Sequence, residues 1–133
     1  MAMILDADVL IADERGVFDL HSWLVVQPRA RFELAAITVA ELWHGLERAS
    51  GAHRVRRRSY VEGVLASFPV IPYTGLTAQI HAHVWADLES RGKVISYHDL
   101  IVAATALERG SAVATFNVRH FSVVKGLKII EPK

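Results

Sequence analysis

Cysteine is absent from all 133 residues, which removes disulfides, thiolate nucleophiles and zinc–thiolate sites together. Any metal bound here must be held by oxygen or imidazole. A membrane-length apolar run is also missing: the longest, Leu100 to Leu107, is far short of the roughly 20 residues that a span requires. Asp6 and Asp8 interrupt what would otherwise resemble a signal-peptide core, so a cytosolic protein is expected. Charge of either sign is not in excess. The 15 Lys and Arg nearly cancel the 14 Asp and Glu, leaving a net +1, which favours neither a general polyanion binder nor an acidic-surface protein. Repeats, linkers and low-complexity segments are lacking too, and the length suits one domain, residues 1–133, around one core.

What the chain does have is apolar surface. Hydrophobic residues make up 52% and mean hydropathy is +0.26, which is high for a small monomer and points to an oligomer or a bound partner chain. Basic residues cluster locally, as Arg54, Arg56, Arg57 and Arg58, and again as Arg109, Arg119, Lys125 and Lys128. Such runs suit phosphates, but a solvated helix face explains them equally well.

The stretch from Ser96 to Leu107 organises the rest. Leu100, Ala103, Ala104 and Leu107 recur at helical spacing, so this helix should be nearly buried. Asp99 stands at its N-terminal end, where the helix dipole keeps a carboxylate ionised. An acid at the mouth of a buried helix reads as one member of a metal-binding set, and the other members must come from elsewhere.

Met3 to Leu5 reads as a short buried strand that runs into acids and turns into a helix. Asp8 is expected to cap that helix, starting at Val9, and Asp6, one residue too early for the task, is expected to be functional. Phe18 to Val26 should be helical and closed by Pro28, and Phe32 to Ile37 a second strand. Thr38 should open a helix to about Ala49, with Gly51 beyond its end. Thr38 and Glu41 have capping-box spacing, as do Ser96 and Asp99, so each acid can be read as a cap or as a ligand. Recurrence favours the ligand: three segments each deliver an acid at a strand-to-helix junction or helix start. Further helices are expected over His53 to Phe68 and from a Thr74 cap to about Arg91. Short strands are expected between Pro69 and Pro72, over Val113 to Phe116 and over Lys128 to Ile130. Strands alternating with helices predict an α/β fold with a mostly parallel sheet covered on both faces.

Four motifs in this order resemble the PIN-domain ribonucleases, specifically the VapC toxins of bacterial toxin–antitoxin pairs. They are Ile4-Leu5-Asp6-Ala7-Asp8-Val9-Leu10-Ile11, Thr38-Val39-Ala40-Glu41-Leu42 with Gly45, His98-Asp99-Leu100-Ile101-Val102-Ala103-Ala104-Thr105-Ala106, and Thr115-Phe116-Asn117-Val118-Arg119-His120-Phe121. The resemblance spans nearly the whole chain. It implies a PIN-like three-layer domain with about five parallel strands and a Mg2+- or Mn2+-dependent endoribonuclease acting on RNA. It also implies a homodimer and inhibition by a VapB-type antitoxin. Carried over by position, Asp6, Glu41 and Asp99 match the acidic metal site, with Asn117 beside them as a further catalytic residue. The sequence departs from the commoner pattern at Asn117, where Asp is frequent, at His120, where an acid is frequent, and at Asp8, where Asn, Ser or Thr is usual. Asn117 can offer a carbonyl oxygen or hold a water but adds no charge, and Asp8 can restore some of it.

The remaining histidines and tryptophans read as structural. His81 and His83 lie two apart on a helix and cannot face one site, whereas His98 and His120 are expected to line the cleft without acting as general bases. Trp23, Trp43 and Trp85 are expected in the core or an interface. Two other functions compete with the nuclease. One is a catalytically silent PIN-like module that binds RNA or a protein, with Glu41 and Asp99 reduced to caps. The other is a phospho-accepting receiver domain, for which Lys125 sits awkwardly far past the strand ending near Phe116.

Overall fold

The computed structural model describes every residue from Met1 to Lys133. Five strands and seven helices follow in the order β1 (Ala2–Leu5), α1 (Ala7–Glu14), α2 (Leu20–Val25), β2 (Arg31–Ala35), α3 (Ala36–Glu47), α4 (Gly51–Ser67), β3 (Val70–Ile71), α5 (Gly75–Ser90), α6 (Tyr97–Arg109), β4 (Ala112–Ala114), α7 (Val118–Phe121) and β5 (Ile129–Ile130). The strands form one sheet in the order β3-β2-β1-β4-β5, and every pairing is parallel. Helices pack on both faces, as parallel sheets require.

Alternation along the strands divides the core in two. Met3 and Leu5 of β1, Leu34 of β2, and Ala112 and Ala114 of β4 face one side, against Val9, Leu10, Trp23, Leu42, Val61 and Val64 of α1 to α4. Ile4, Ala35, Ile71 and Val113 face the other, against Val84 and Leu88 of α5, Leu100, Val102, Ala103 and Ala106 of α6, and Phe121. All four residues of β1 are buried, which explains why this strand lacks any polar alternation. The small residues of α6 let it lie close against the sheet: Val102, Ala103, Ala104 and Ala106 are wholly buried. The helix ends at Gly110, whose left-handed φ of +63° suits glycine.

Several boundaries differ from the sequence reading. Helix α1 begins at Ala7, so its N-cap is Asp6 and not Asp8. The backbone turns helical directly after β1, and Asp8 falls in the first turn. Strand β2 ends at Ala35, and α3 begins at Ala36 with no side-chain cap, two residues ahead of Thr38. The Thr38–Glu41 capping box therefore does not form, and Thr38 is buried inside the helix. Helix α2 starts at Leu20 on an Asp19 cap, while Phe18 stays outside it and packs on Trp23 and Phe116 with ring centroids 6.3 and 5.2 Å away. Helix α4 starts at Gly51, whose φ of +61° reverses the chain just after α3. Strand β4 stops at Ala114, freeing residues 115–117 to form a loop before α7, a helix that the apolar pattern did not announce. The Thr74 cap is present, reinforced by a reciprocal bond with Thr77. No helix is long and apolar enough to cross a membrane.

Candidate active site

Open parallel sheets place ligands beyond the C-terminal strand ends, where the order of connection reverses. In this sheet the chain winds outward from β1 to β2 and β3, then returns to the other side of β1 for β4. The residues after β1 and β4 thus emerge side by side, and the Asp6 N–H donates to Ala114 O at 2.9 Å. Asp6 is 5% exposed. One of its carboxylate oxygens accepts from Ala7 N–H at 2.8 Å and the other from the Thr115 hydroxyl at 2.8 Å. Asp6 is therefore both a helix cap and a wall of the cleft.

Thr115 holds the joint together. Its wholly buried hydroxyl accepts from Asn117 N–H at 2.9 Å and faces Asp8 Oδ2 at 3.2 Å as well as Asp6. A hydroxyl has one proton, and the shorter contact assigns it to Asp6. Asp8 is served instead by Phe116 N–H at 3.1 Å. Sequence reasoning quoted Thr115 within a motif but gave it no role. The available signal was a hydroxyl residue directly after an apolar strand at the reversal point.

Glu41 and Asp99 complete the cleft. Asp99 lies in the first turn of α6, where Ser96 caps the helix by accepting from Asp99 N–H at 3.2 Å. With α3 beginning at Ala36, Glu41 sits in that helix's second turn and has no cap to serve. Side-chain exposure is 30% for Glu41 and 19% for Asp99. Asp99 lies near enough to Asp6 and to Glu41 for its charge to raise both their pKa values, and Asp8 acts on both in the same way. Burial is the largest cause in each case. It pushes Asp6 up to about 7, and lifts Asp8 and Glu41 above the ordinary carboxylate range.

The neighbouring cations do not relieve this repulsion. Elsewhere Glu33 pairs with Arg109, Glu14 with Arg57 and Asp87 with Arg91, while Asp13 and Glu108 each accept from a hydroxyl. None of Asp6, Asp8, Glu41 and Asp99 has a Lys or Arg partner; only imidazoles approach, His98 3.8 Å from Glu41 and His120 3.7 Å from Asp99. Both rings are more than half exposed, consistent with residues lining a cleft. Asn117 turns its amide to His120, with Nδ2 and Nδ1 2.8 Å apart. The pair is mutually satisfied and adds no carboxylate.

Four uncompensated carboxylates from three separate segments form a donor set suited to a hard divalent cation. No three His, Asp or Glu side chains converge closely enough to form an inner coordination shell by themselves. Mg2+ takes only one or two protein carboxylates directly and reaches others through the waters it keeps. Lys125 pairs with Asp87 of α5 at 3.8 Å instead of reaching the acids, so the lysine that a receiver domain needs is missing from the pocket.

The histidines and tryptophans divide by location. Trp23 is buried in the core and Trp43 packs partly against it, but Trp85 is exposed. It stacks on His81 and meets Tyr97 edge-on, both at 5.7 Å between ring centroids. His81 also meets Tyr73, whose hydroxyl lies 2.8 Å from Nδ1.

The family model of the PIN domain matches residues 3–127. Ribonuclease VapC10 of Mycobacterium tuberculosis is 32% identical over 127 residues, 95% of this chain and 90% of its own. Ribonuclease VapC1 of Rickettsia felis is 28% identical over 131 residues, covering 98% and 96%. Among solved structures, DNA-bound VapBC from Salmonella typhimurium superposes with a TM-score of 0.87 at 25% identity, over 97% of this chain and 96% of the other. With the family model matched over residues 3–127 and a VapC ribonuclease 32% identical over 95% of this chain, the protein belongs to the PIN-domain family, in its VapC branch.

Proposed function

We propose that this protein is a divalent-metal-dependent endoribonuclease toxin, restrained by a VapB antitoxin, with Asp6, Glu41 and Asp99 around Mg2+ or Mn2+. The observation that carries this reading is the set of acids from three separate segments that lie within reach of one another's charge near the sheet's reversal point without a Lys or Arg partner. The curated relatives named above are ribonucleases, and the likeness to the solved VapBC structure supports an antitoxin as partner.

When bound, the ion supplies acidified water, charge neutralisation and a grip on the scissile phosphate. Asp6 is held by the Ala7 N–H and the Thr115 hydroxyl, which fix its orientation beside Asp8. Asp8 adds negative charge, while Phe116 N–H fixes its orientation. Glu41 and Asp99 are partly exposed, and either carboxylate can take the proton from attacking water. Water oxygen then bonds to phosphorus as the P–O3′ bond breaks, the leaving 3′-oxygen takes a proton from solvent, and the products carry a 5′-phosphate and a 3′-hydroxyl. Asn117 and His120 flank the substrate face as hydrogen-bonding groups.

Incubating purified protein with structured RNA should give cleavage in Mg2+ or Mn2+ and none in chelator. Equal cleavage in chelator contradicts the metal assignment. Absence of cleavage in either ion favours the catalytically silent module.

The reading includes a homodimer, supported by the exposed apolar surface of Tyr73, Trp85, Val94 and Tyr97, which His81 ties together. Glu89 and Lys93 lie at one hollow of this face beside Trp85 and Tyr97, which gives a two-fold contact both signs of charge. Trp85→Glu should convert a dimer to a monomer by light scattering, with the secondary structure retained. A wild-type monomer at micromolar concentration contradicts this part.

A further inference from the structure

We infer that the crevice between α1 and α4 is a track for RNA backbone phosphates, leading away from the acids, with Arg57 as its innermost contact. The inference rests on the nuclease reading and extends it to how the substrate is held.

The track begins beside Glu41. A cavity of about 70 Å³ has Glu41, Gly45, Glu14, Arg57 and Tyr60 in its lining. A second cavity, of about 420 Å³, is lined by Glu14, Arg15, His53, Arg56, Arg57 and Tyr60. Glu14, Arg57 and Tyr60 are common to both, so the two hollows adjoin and Arg57 stands between them. Three guanidinium groups face one carboxylate in the outer hollow. This excess of positive charge, next to a cleft with an excess of negative charge, is the arrangement needed to hold a phosphodiester chain by its neighbouring phosphates.

The inner contact is positioned by particular residues. Glu14 takes Arg57 through Nε at 2.7 Å, leaving the terminal amino groups for a ligand. One of them, Nη1, lies 2.6 Å from where a Cβ on Gly45 would stand. Gly45 follows Glu41 by four residues on α3, so the guanidinium rests on the same helix face, one turn from that carboxylate. A side chain at Gly45 would displace it.

The rest of the arginine run is distinguished by its partners. Arg54 is spent on Leu46 O at 2.6 Å and on Glu47. Arg58 is exposed and lines neither hollow. Arg15 and Arg56 are exposed, line the outer hollow and make no ion pair. The chemistry favours phosphates over bases. Tyr60 is the aromatic residue in both hollows, and its hydroxyl is tied to Leu10 O at 2.9 Å and Asp13 at 2.8 Å.

The experiment measures binding of the full-length protein to a fluorescent single-stranded RNA in chelator, by anisotropy across a salt series. Arg15→Ala and Arg56→Ala should each weaken binding and flatten the slope of log K against log salt by about 0.7, the value for one phosphate contact on a single strand. Arg58→Ala should change neither. Gly45→Ala should raise the Kd several-fold while leaving the melting temperature equal or higher, because alanine is the better helix residue and only a flexible arginine tip must move. Unchanged slopes for Arg15→Ala and Arg56→Ala, an equal loss for Arg58→Ala, or unaltered binding by Gly45→Ala overturns the track. Weaker binding of the antitoxin with an unchanged RNA slope would reassign the crevice to the protein partner and likewise overturn it. Because no metal is present, these outcomes are independent of cleavage: the track can fail while metal-dependent hydrolysis stands, and the reverse.

Discussion

Asp99→Asn is expected to abolish divalent-dependent RNA cleavage, by on the order of 100-fold or more, in a protein that still folds. The substitution keeps the shape of the side chain and leaves the α6 cap intact, because Ser96 accepts from the backbone N–H of residue 99 and not from its side chain. What is lost is a charge and a proton acceptor. An amide adds nothing to the attraction for a cation and cannot take the proton from water at neutral pH. Removing one of four mutually repelling acids should also leave the melting temperature equal or raised, since the charge of Asp99 raises the pKa of both Asp6 and Glu41. Gel-resolved cleavage and thermal melting of the same preparation check both parts. Full activity removes Asp99 from the site, and an unfolded variant shows that its role is architectural.

In chelator, stability should fall as pH rises from about 5 to about 8, and a divalent ion should restore it. Asp6 is pushed up to about 7, first by burial and then by the charges of Asp8 and Asp99; its bonds to Thr115 and Ala7 only partly offset this. A carboxyl raised in this way binds more protons folded than unfolded between the ordinary value near 4 and about 7. The stability it contributes is complete below that window and is lost as pH climbs through it. The change from Asp6 alone is on the order of a few kcal/mol, and Asp8 and Glu41 add to it in the same direction. His81 works in the opposite sense, since burial lowers its pKa, but it is one ring against three carboxyls. Asp19 and Asp87 are lowered at the exposed surface, and their contribution is already complete above pH 5. Denaturation midpoints in chelator across this range measure the effect. Asp6→Asn, which retains a capping side chain, should flatten the profile, and added Mg2+ or Mn2+ should raise the wild-type midpoint most at the alkaline end. A flat wild-type profile contradicts the uncompensated burial on which the metal assignment depends.

The strands and helices were legible wherever burial leaves a periodic trace. Helix α6 announced itself through Leu100, Ala103, Ala104 and Leu107, α5 through its Thr74 cap, and the short β3 through flanking Pro69 and Pro72. The passage from β2 to α3 was not legible. Ala35 and Ala36 carry no cap, proline or glycine to mark a change of backbone, and apolar Ile37 extends the look of a strand. That shift matters, because it leaves Glu41 without a cap to serve. Asp6 and Asp8 were distinguished on an expected start at Val9, but α1 begins two residues earlier and the capping role passes to Asp6. Both acids still face Thr115. The role of Thr115 depends on β4 lying beside β1, a long-range pairing with no local signature. The separate uses of Arg54 and Arg57 were hidden for the same reason, since their partners come from α1, α3 and the loop after it.

The seamless joint between Ala35 and Ala36 also makes this part of the protein intolerant of changes in length. With no loop to absorb an extra residue, a single insertion there would rotate everything downstream on α3 by about 100°, turning Glu41 away from the cleft and Gly45 away from Arg57. A deletion would do the same in the opposite direction. The spacing from Ala35 to Glu41 is therefore under tighter constraint than the identities of the residues between them, many of which can change while the helix keeps its phase.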